Sequence, residues 1–154
     1  MKDNFKDKTF YQIYPKSFND SNGDGFGDLD GIREKLPNLQ KLGIDFLWIS
    51  PFYKSHQYDN GYDVDDYKSI DERYGDLESF DKLVKEAKKR NIKIMLDMVF
   101  NHTSTHHEWF QKALNGDKKY QDYYIFKENE GDYPTNWVSK FGGPAWKYVE
   151  KLDK

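Results

Sequence analysis

Two short apolar runs, Ile44–Ile49 and Ile92–Leu96, narrow what this chain can fold into. Each is of strand length and nearly continuous, as strands are when both faces of a parallel sheet are covered. Each also follows an amphipathic stretch. Ile32, Leu36, Leu39 and Leu42 recur at helical spacing and close at Gly43, with a kink or break expected at Pro37. Phe80, Leu83, Val84 and Ala87 form a second stripe, with Asp76 placed to cap its start and Asn91 near its end. Thr9–Ile13 reads as an earlier strand stopped by Pro15, and the last strand is expected to span Ile92–Phe100. The order β-α-β-α-β, with right-handed crossovers, gives a parallel α/β sheet. Ser50–Asp76 reads as a long connection, and a short helix at Glu108–Leu114 leads into an aromatic, polar tail.

The last strand ends in Asp97-Met98-Val99-Phe100-Asn101-His102. A carboxylate, an amide and an imidazole at the end of a buried strand cost desolvation unless they are bonded or meet a ligand. In parallel α/β sheets that end is where ligands sit. Asp59-Asn60-Gly61-Tyr62-Asp63 adds a strong turn dipeptide flanked by carboxylates.

A third cluster is Asp20-Ser21-Asn22-Gly23-Asp24-Gly25-Phe26-Gly27-Asp28. Oxygen ligands on alternate residues, with glycine sixth, match the front half of an EF-hand calcium loop. Position twelve is Gly31, so the bidentate Glu is missing and this is not an EF-hand. Asp20, Asn22, Asp24, Asp28 and the Phe26 carbonyl are the expected ligands; the alternative is a turn held by its own Asp and Asn side chains. His102, His106, His107 and Glu108 could form a transition-metal set, but no further ligand is evident.

The 154 residues carry a formal charge of −3 and no cysteine, which argues against nucleic acid as a partner and excludes disulfides and thiolate chemistry. Met1–Lys8 has no apolar signal core and no long apolar run follows, so a cytoplasmic protein without membrane contact is expected. Mean hydropathy is −1.03 and hydrophobic residues make up 36%, which is polar for a self-contained domain.

The clusters above share their order with Tyr11-Gln12-Ile13-Tyr14-Pro15-Lys16-Ser17-Phe18, Leu47-Trp48-Ile49-Ser50-Pro51, Tyr123-Tyr124-Ile125-Phe126 and Asn136-Trp137-Val138-Ser139-Lys140-Phe141-Gly142-Gly143. Together they resemble the amino-terminal third of an α-amylase-family glycoside hydrolase (family 13), from about Thr9 to Trp146. The resemblance is strongest to the branch of trehalose-6-phosphate hydrolases and oligo-1,6-glucosidases. It implies a partial TIM (β/α)8 barrel: three strands and two helices over 1–102, then the beginning of an inserted domain B over 103–154, with the rest of the barrel and a C-terminal domain absent.

The resemblance also implies a retaining α-glucosidase acting on a small α-glucoside. Asp59 would accept hydroxyls of the non-reducing glucose, Tyr62 would stack beneath that ring and His102 would hydrogen-bond it. Asp97 and Asn101 would brace the loops. Ca²⁺, or Mg²⁺, would occupy the Asp20–Asp28 loop, and the full-length relative would be monomeric. Lys16 and the Ser139–Gly143 segment favour trehalose 6-phosphate, cleaved to glucose and glucose 6-phosphate, over isomaltose-type oligosaccharides. His56 and Tyr58 depart from the pattern of both groups. The family's nucleophile, acid/base and assisting Asp belong to strand ends that no residue here matches, so the chain alone is expected to be inactive. Two other classes remain: a non-catalytic partner resembling amino-acid-transporter heavy chains, which Met1–Lys8 leaves without a membrane span, and a calcium-dependent sugar-binding fragment.

Overall fold

The computed structural model describes residues 4–128 and 130–154, so the first three residues of the Met1–Lys8 stretch lie outside it. In chain order the elements are β1 (Phe10–Ile13), α1 (Leu29–Lys41), β2 (Phe46–Ile49), β3 (Tyr53–Ser55), β4 (Val64–Ile70), α2 (Leu77–Lys89), β5 (Lys93–Leu96), α3 (Glu108–Leu114) and α4 (Lys118–Gln121). The chain divides into two units, Met1–Ser104 and Thr105–Lys154.

In the first unit β2 is the middle of a three-stranded parallel sheet ordered β1-β2-β5, with Phe10 opposite Phe46 and Ile49 opposite Leu96. Leu47 and Ile49 are buried under the helices, whereas Phe46, on the opposite face of the alternating strand, is buried against Phe5 and Phe10. The covering stripe is the predicted one except at Leu42, which follows the end of α1 and is 66% exposed: Ile32, Leu36 and Leu39 from α1 join Leu83 and Ala87 from α2 in one core with Ile13, Leu47 and Ile49. Asp28 caps α1 by accepting the Gly31 N–H, and Asp76 caps α2 by accepting that of Ser79. Past the helix ends, Gly43 (φ +74°) and Asn91 (φ +57°) take the left-handed conformation that turns each chain into the next strand.

Three expectations need correction. Pro37 does not break α1, which runs unbroken from Leu29 to Lys41; the ring sits on the exposed face while Leu36 and Leu39 stay anchored in the core. The connection Ser50–Asp76 is not a plain loop but carries the antiparallel hairpin β3–β4. The last strand ends at Leu96, not Phe100, although Asp97 N–H still donates to Ile49 O at 3.1 Å. The sheet does not close into a barrel: among the described residues β1 and β5 each pair only with β2.

In the second unit the His107 ring caps α3, its Nδ1 accepting the Trp109 N–H at 3.1 Å. α4 follows, then turns and one bridge between Val138 and Pro144. Phe110, Tyr124, Tyr133, Trp137, Trp146 and Tyr148 are among the walls of a cavity of about 1160 Å³. No described helix is long and apolar enough to cross a membrane.

Candidate active site

The carboxyl ends of β1, β2 and β5 bring together Tyr14, Ser50 and Asp97, each the residue that follows its strand. The ladder continues one step past each strand here, with Ser50 N–H donating to Ile13 O at 2.9 Å. Over this end lies the turn that precedes β4. Tyr14 hydroxyl donates to the Asn60 carbonyl at 3.0 Å, tying β1 to the turn. Tyr62 hydroxyl donates to Asp97 Oδ2 at 3.0 Å, tying the turn to β5. Burial, followed by the bond and charge of Asp97, pushes the Tyr62 phenol up. Burial and then the Asp59 carboxylate do the same to Tyr14. Both phenols therefore stay neutral donors at ordinary pH.

Asp59 is half-buried and is carried on this turn. Its N–H and that of Tyr58 both donate to Asp63, at 2.9 and 3.0 Å. Burial alone would push the Asp63 carboxyl up, but bonds from the Asp59 N–H, the Ser55 hydroxyl and the Tyr58 N–H outweigh it and hold the carboxyl low. The turn is thus folded around the buried Asp63 carboxylate.

His102 is brought to the same place with both ring nitrogens engaged: Nε2 lies 3.0 Å from the Tyr62 carbonyl and Nδ1 lies 3.2 Å from the Asn101 amide nitrogen. A carbonyl can only accept, so Nε2 carries the proton and Nδ1 accepts. Here the ring bridges two protein segments. The irregular segment after β5 is pinned to β4 by Tyr67, whose hydroxyl lies 2.6 Å from Val99 O and 2.7 Å from His102 O. Ser104 N–H adds a bond to Val64 O at 3.0 Å.

All five predicted residues, Asp59, Tyr62, Asp97, Asn101 and His102, therefore belong to one bonded constellation at the strand ends. Tyr14, Asp63 and Tyr67 also belong to it; the sequence motifs contain the first two, but none of the three was assigned a role there. Tyr14 carried a readable signal, standing between the end of the first strand and Pro15.

The Asp20–Asp28 loop is a chain of side-chain-to-amide turns. Asp20 accepts the N–H groups of Gly23 at 2.7 Å and Gly25 at 2.8 Å, bonds that hold its carboxyl low, with Gly25 contributing most. Asn22 accepts from Asp24 N–H and Asp24 from Phe26 N–H. Asp28 is 5% exposed and bonds Ser21 as well as capping α1. The donor chemistry, oxygen only and on alternate residues, fits a hard cation. The carboxylates are turned onto loop amides, and among the described residues no three acidic or histidine side chains are grouped to hold an ion. The same finding gives the His102, His106, His107 and Glu108 set no support. Position twelve of the loop has a packing reason to be glycine: a Cβ on Gly31 would come within 1.9 Å of the Asn19 carbonyl oxygen.

Comparison with known proteins decides the affiliation of this site. The profile of the alpha-amylase catalytic domain matches residues 12–154. The chain belongs to the alpha-amylase family. It is 54% identical over 149 residues to trehalose-6-phosphate hydrolase of Bacillus subtilis (strain 168), covering 95% of this chain and 27% of the relative. It is 50% identical over 152 residues to oligo-1,6-glucosidase of Bacillus cereus, covering 97% of this chain and 27% of the relative. Among solved structures, trehalose-6-phosphate hydrolase of Bacillus licheniformis superposes with a TM-score of 0.90 at 49% identity, over 95% of this chain and 26% of that one. Isomaltulose synthase SmuA of Protaminobacter rubrum does so with 0.92 at 52% identity, over 96% and 27%. The chain thus spans about a quarter of the length of these relatives. The β1-β2-β5 sheet and its helices form only a part of the alpha-amylase catalytic domain.

Proposed function

We propose that the chain is the glucose-recognition part of a retaining α-glucosidase, with trehalose 6-phosphate as the substrate. The observation that carries this reading is the bonded constellation of Asp59, Tyr62, Asp97 and His102 at the strand ends. Asp59 accepts hydroxyls of the non-reducing glucose, and carboxylate-to-hydroxyl bonds fix orientation as well as adding energy. The Tyr62 ring, held by Asp97, lies under the sugar. His102 turns its imidazole to the same glucose as the ring flattens toward an oxocarbenium ion, exchanging a protein contact for a substrate hydroxyl. Identity to a trehalose-6-phosphate hydrolase supports the substrate. Likeness to an oligo-1,6-glucosidase at 50% keeps isomaltose-type oligosaccharides as the second reading.

By itself the chain hydrolyses nothing. Retention requires two carboxylates about 5–5.5 Å apart, one nucleophile and one acid/base. Here Asp97 is tied to Tyr62, Asp63 to two backbone amides, and Asp71 to Arg73. The Asp20–Asp28 loop takes Ca²⁺ through Asp20, Asn22, Asp24, Asp28 and the Phe26 carbonyl, in a structural role. The protein works in the cytoplasm as a monomer.

A chimera tests the reading: this chain replaces the matching first quarter of the Bacillus subtilis hydrolase. It is expected to release glucose from trehalose 6-phosphate and to lose that activity with Asp59→Ala. A folded chimera that cleaves isomaltose but not trehalose 6-phosphate would favour the second reading. One that cleaves neither would overturn both.

A further inference from the structure

The β3–β4 hairpin is irregular at two points, and the second of them, between Lys54 and Ser55, lies beside the site. Lys54 pairs with Asp66 but the next residue, Ser55, pairs with Val64, so Asp65 is an extra residue with no partner across the hairpin. A bulge of this kind re-aims a side chain. The Asp65 carboxylate, 7% exposed, turns to the residue that follows β3, and its Oδ2 lies 2.5 Å from His56 Nδ1. Its other oxygen is buried and takes no hydrogen bond. His56 therefore supplies the carboxylate's one hydrogen bond among the described residues. A buried carboxylate so thinly compensated is costly and calls for a role.

The turn after His56 shows that role. Gln57 (φ +62°) and Asn60 (φ +51°) both sit in the left-handed region, and Asp59 lies between them. Such a backbone persists only where its surroundings over-determine it. At the far end Asp63 collects the Tyr58 and Asp59 N–H groups. Tyr74 hydroxyl reaches Gln57 Oε1 at 3.3 Å. At the near end the His56 ring stacks on Tyr58, with centroids 5.7 Å apart, and is held by Asp65.

We propose that His56 is a positioning residue: fastened to the bulged carboxylate of Asp65, it holds the 57–60 turn in its left-handed form and sets where Asp59 meets the glucose. The consequence for sugar rests on the α-glucosidase reading, whereas the fastening does not.

Three variants of the 154-residue chain test it. His56→Asn keeps a donor where Nδ1 stands. His56→Phe keeps a ring against Tyr58 but deletes the donor. The pair His56→Phe with Asp65→Leu removes both partners, so that no buried carboxylate is orphaned and the fold is spared. The readouts are amide hydrogen exchange at Tyr58 and Asp59, and the affinity for methyl α-D-glucoside by NMR titration. Exchange at the two amides is expected to rise about tenfold or more in the Phe variants, the loss of one charge-assisted bond, and to stay near wild type in His56→Asn. Glucoside affinity should fall and be rescued in the same order.

Unchanged exchange at Tyr58 and Asp59 in the double variant would overturn the proposal. So would loss of the whole fold in both Phe variants, because His56 would then be framework rather than a local brace. If wild type binds no glucoside, the α-glucosidase reading fails while the exchange result still judges the fastening.

Discussion

Asp28 joins the start of α1 to the loop before it, and replacing it by alanine should unfasten both. Its Oδ1 accepts the Gly31 N–H in the first turn of the helix. The same carboxylate takes the Ser21 N–H at 3.0 Å and the Ser21 hydroxyl at 2.8 Å, all at 5% exposure. Loss of an N-cap costs about 1 kcal/mol. Bonds from Ser21 to a buried carboxylate add about 1.5–3 kcal/mol, discounted because the two share one partner. The sum is about 3 kcal/mol. With a urea m-value of about 2 kcal/mol/M for a chain of this size, the midpoint should fall by about 1.5 M. The assay is urea unfolding followed by far-UV circular dichroism in EDTA, so that no bound cation contributes. Asp76→Ala is the internal control: it caps α2 with one bond from an exposed position and should shift the midpoint clearly less. Equal shifts for the two variants would refute the reasoning, because Asp28 would then be an ordinary cap with no hold on the loop.

Other outcomes rest on the same geometry. Tyr62→Phe removes the bond to Asp97 and should lower trehalose 6-phosphate turnover in the chimera about tenfold with little change in melting temperature; an unaltered rate would separate Tyr62 from the site. Gly31→Ala drives a Cβ onto the Asn19 carbonyl and should destabilise despite its better helix propensity, by about 1–3 kcal/mol in urea unfolding. Ca²⁺ at a hundredfold excess over its Kd should add about 2.7 kcal/mol and raise the melting temperature, an effect that EDTA reverses; no shift would remove the ion from the loop.

Asp63 and Asp71 are both held low in the folded state. For Asp71, burial pushes upward, and the Arg73 guanidinium together with the Arg73 and Ser55 backbone N–H groups outweighs it. Their contribution is complete above pH ~4, the unfolded carboxylate value, and is lost as pH falls below it through the lowered folded values. Acid titration of stability should show that loss, flattened in Asp71→Asn. Tyr74 runs the opposite way: burial pushes its phenol up to about 12. Stability should therefore be complete below pH ~10 and decline above it, with one phenol titrating late in absorbance.

The sheet and its helices were legible because local chemistry and tertiary burial agree there. Leu47, Ile49 and the stripe from Ile32 to Leu39 are apolar in the period that their positions demand. The β3–β4 hairpin was not legible: Val64–Ile70 is half-buried and polar along much of its length, and its register shifts twice. Neither the helical nor the alternating period survives such a bulge. The overrun from Leu96 to Phe100 has a related cause. Val99 is apolar because it packs with Tyr53 and Val64, not because the strand continues. At the site, residue types at strand ends were readable, but their partners were not. Nothing local to Asp63 or Tyr67 says that one gathers the Asp59 turn and the other pins the His102 segment from 35 residues away.

The sheet order has a consequence for synthesis. β2 pairs with β1, which precedes it, and β5 pairs with β2, which precedes it in turn. α2 likewise packs on α1, already made. Each of β2 and β5 therefore finds its partner already present when it emerges. The sheet can thus be laid down one strand at a time as the chain leaves the ribosome, in the amino-to-carboxyl order in which domains fold during translation.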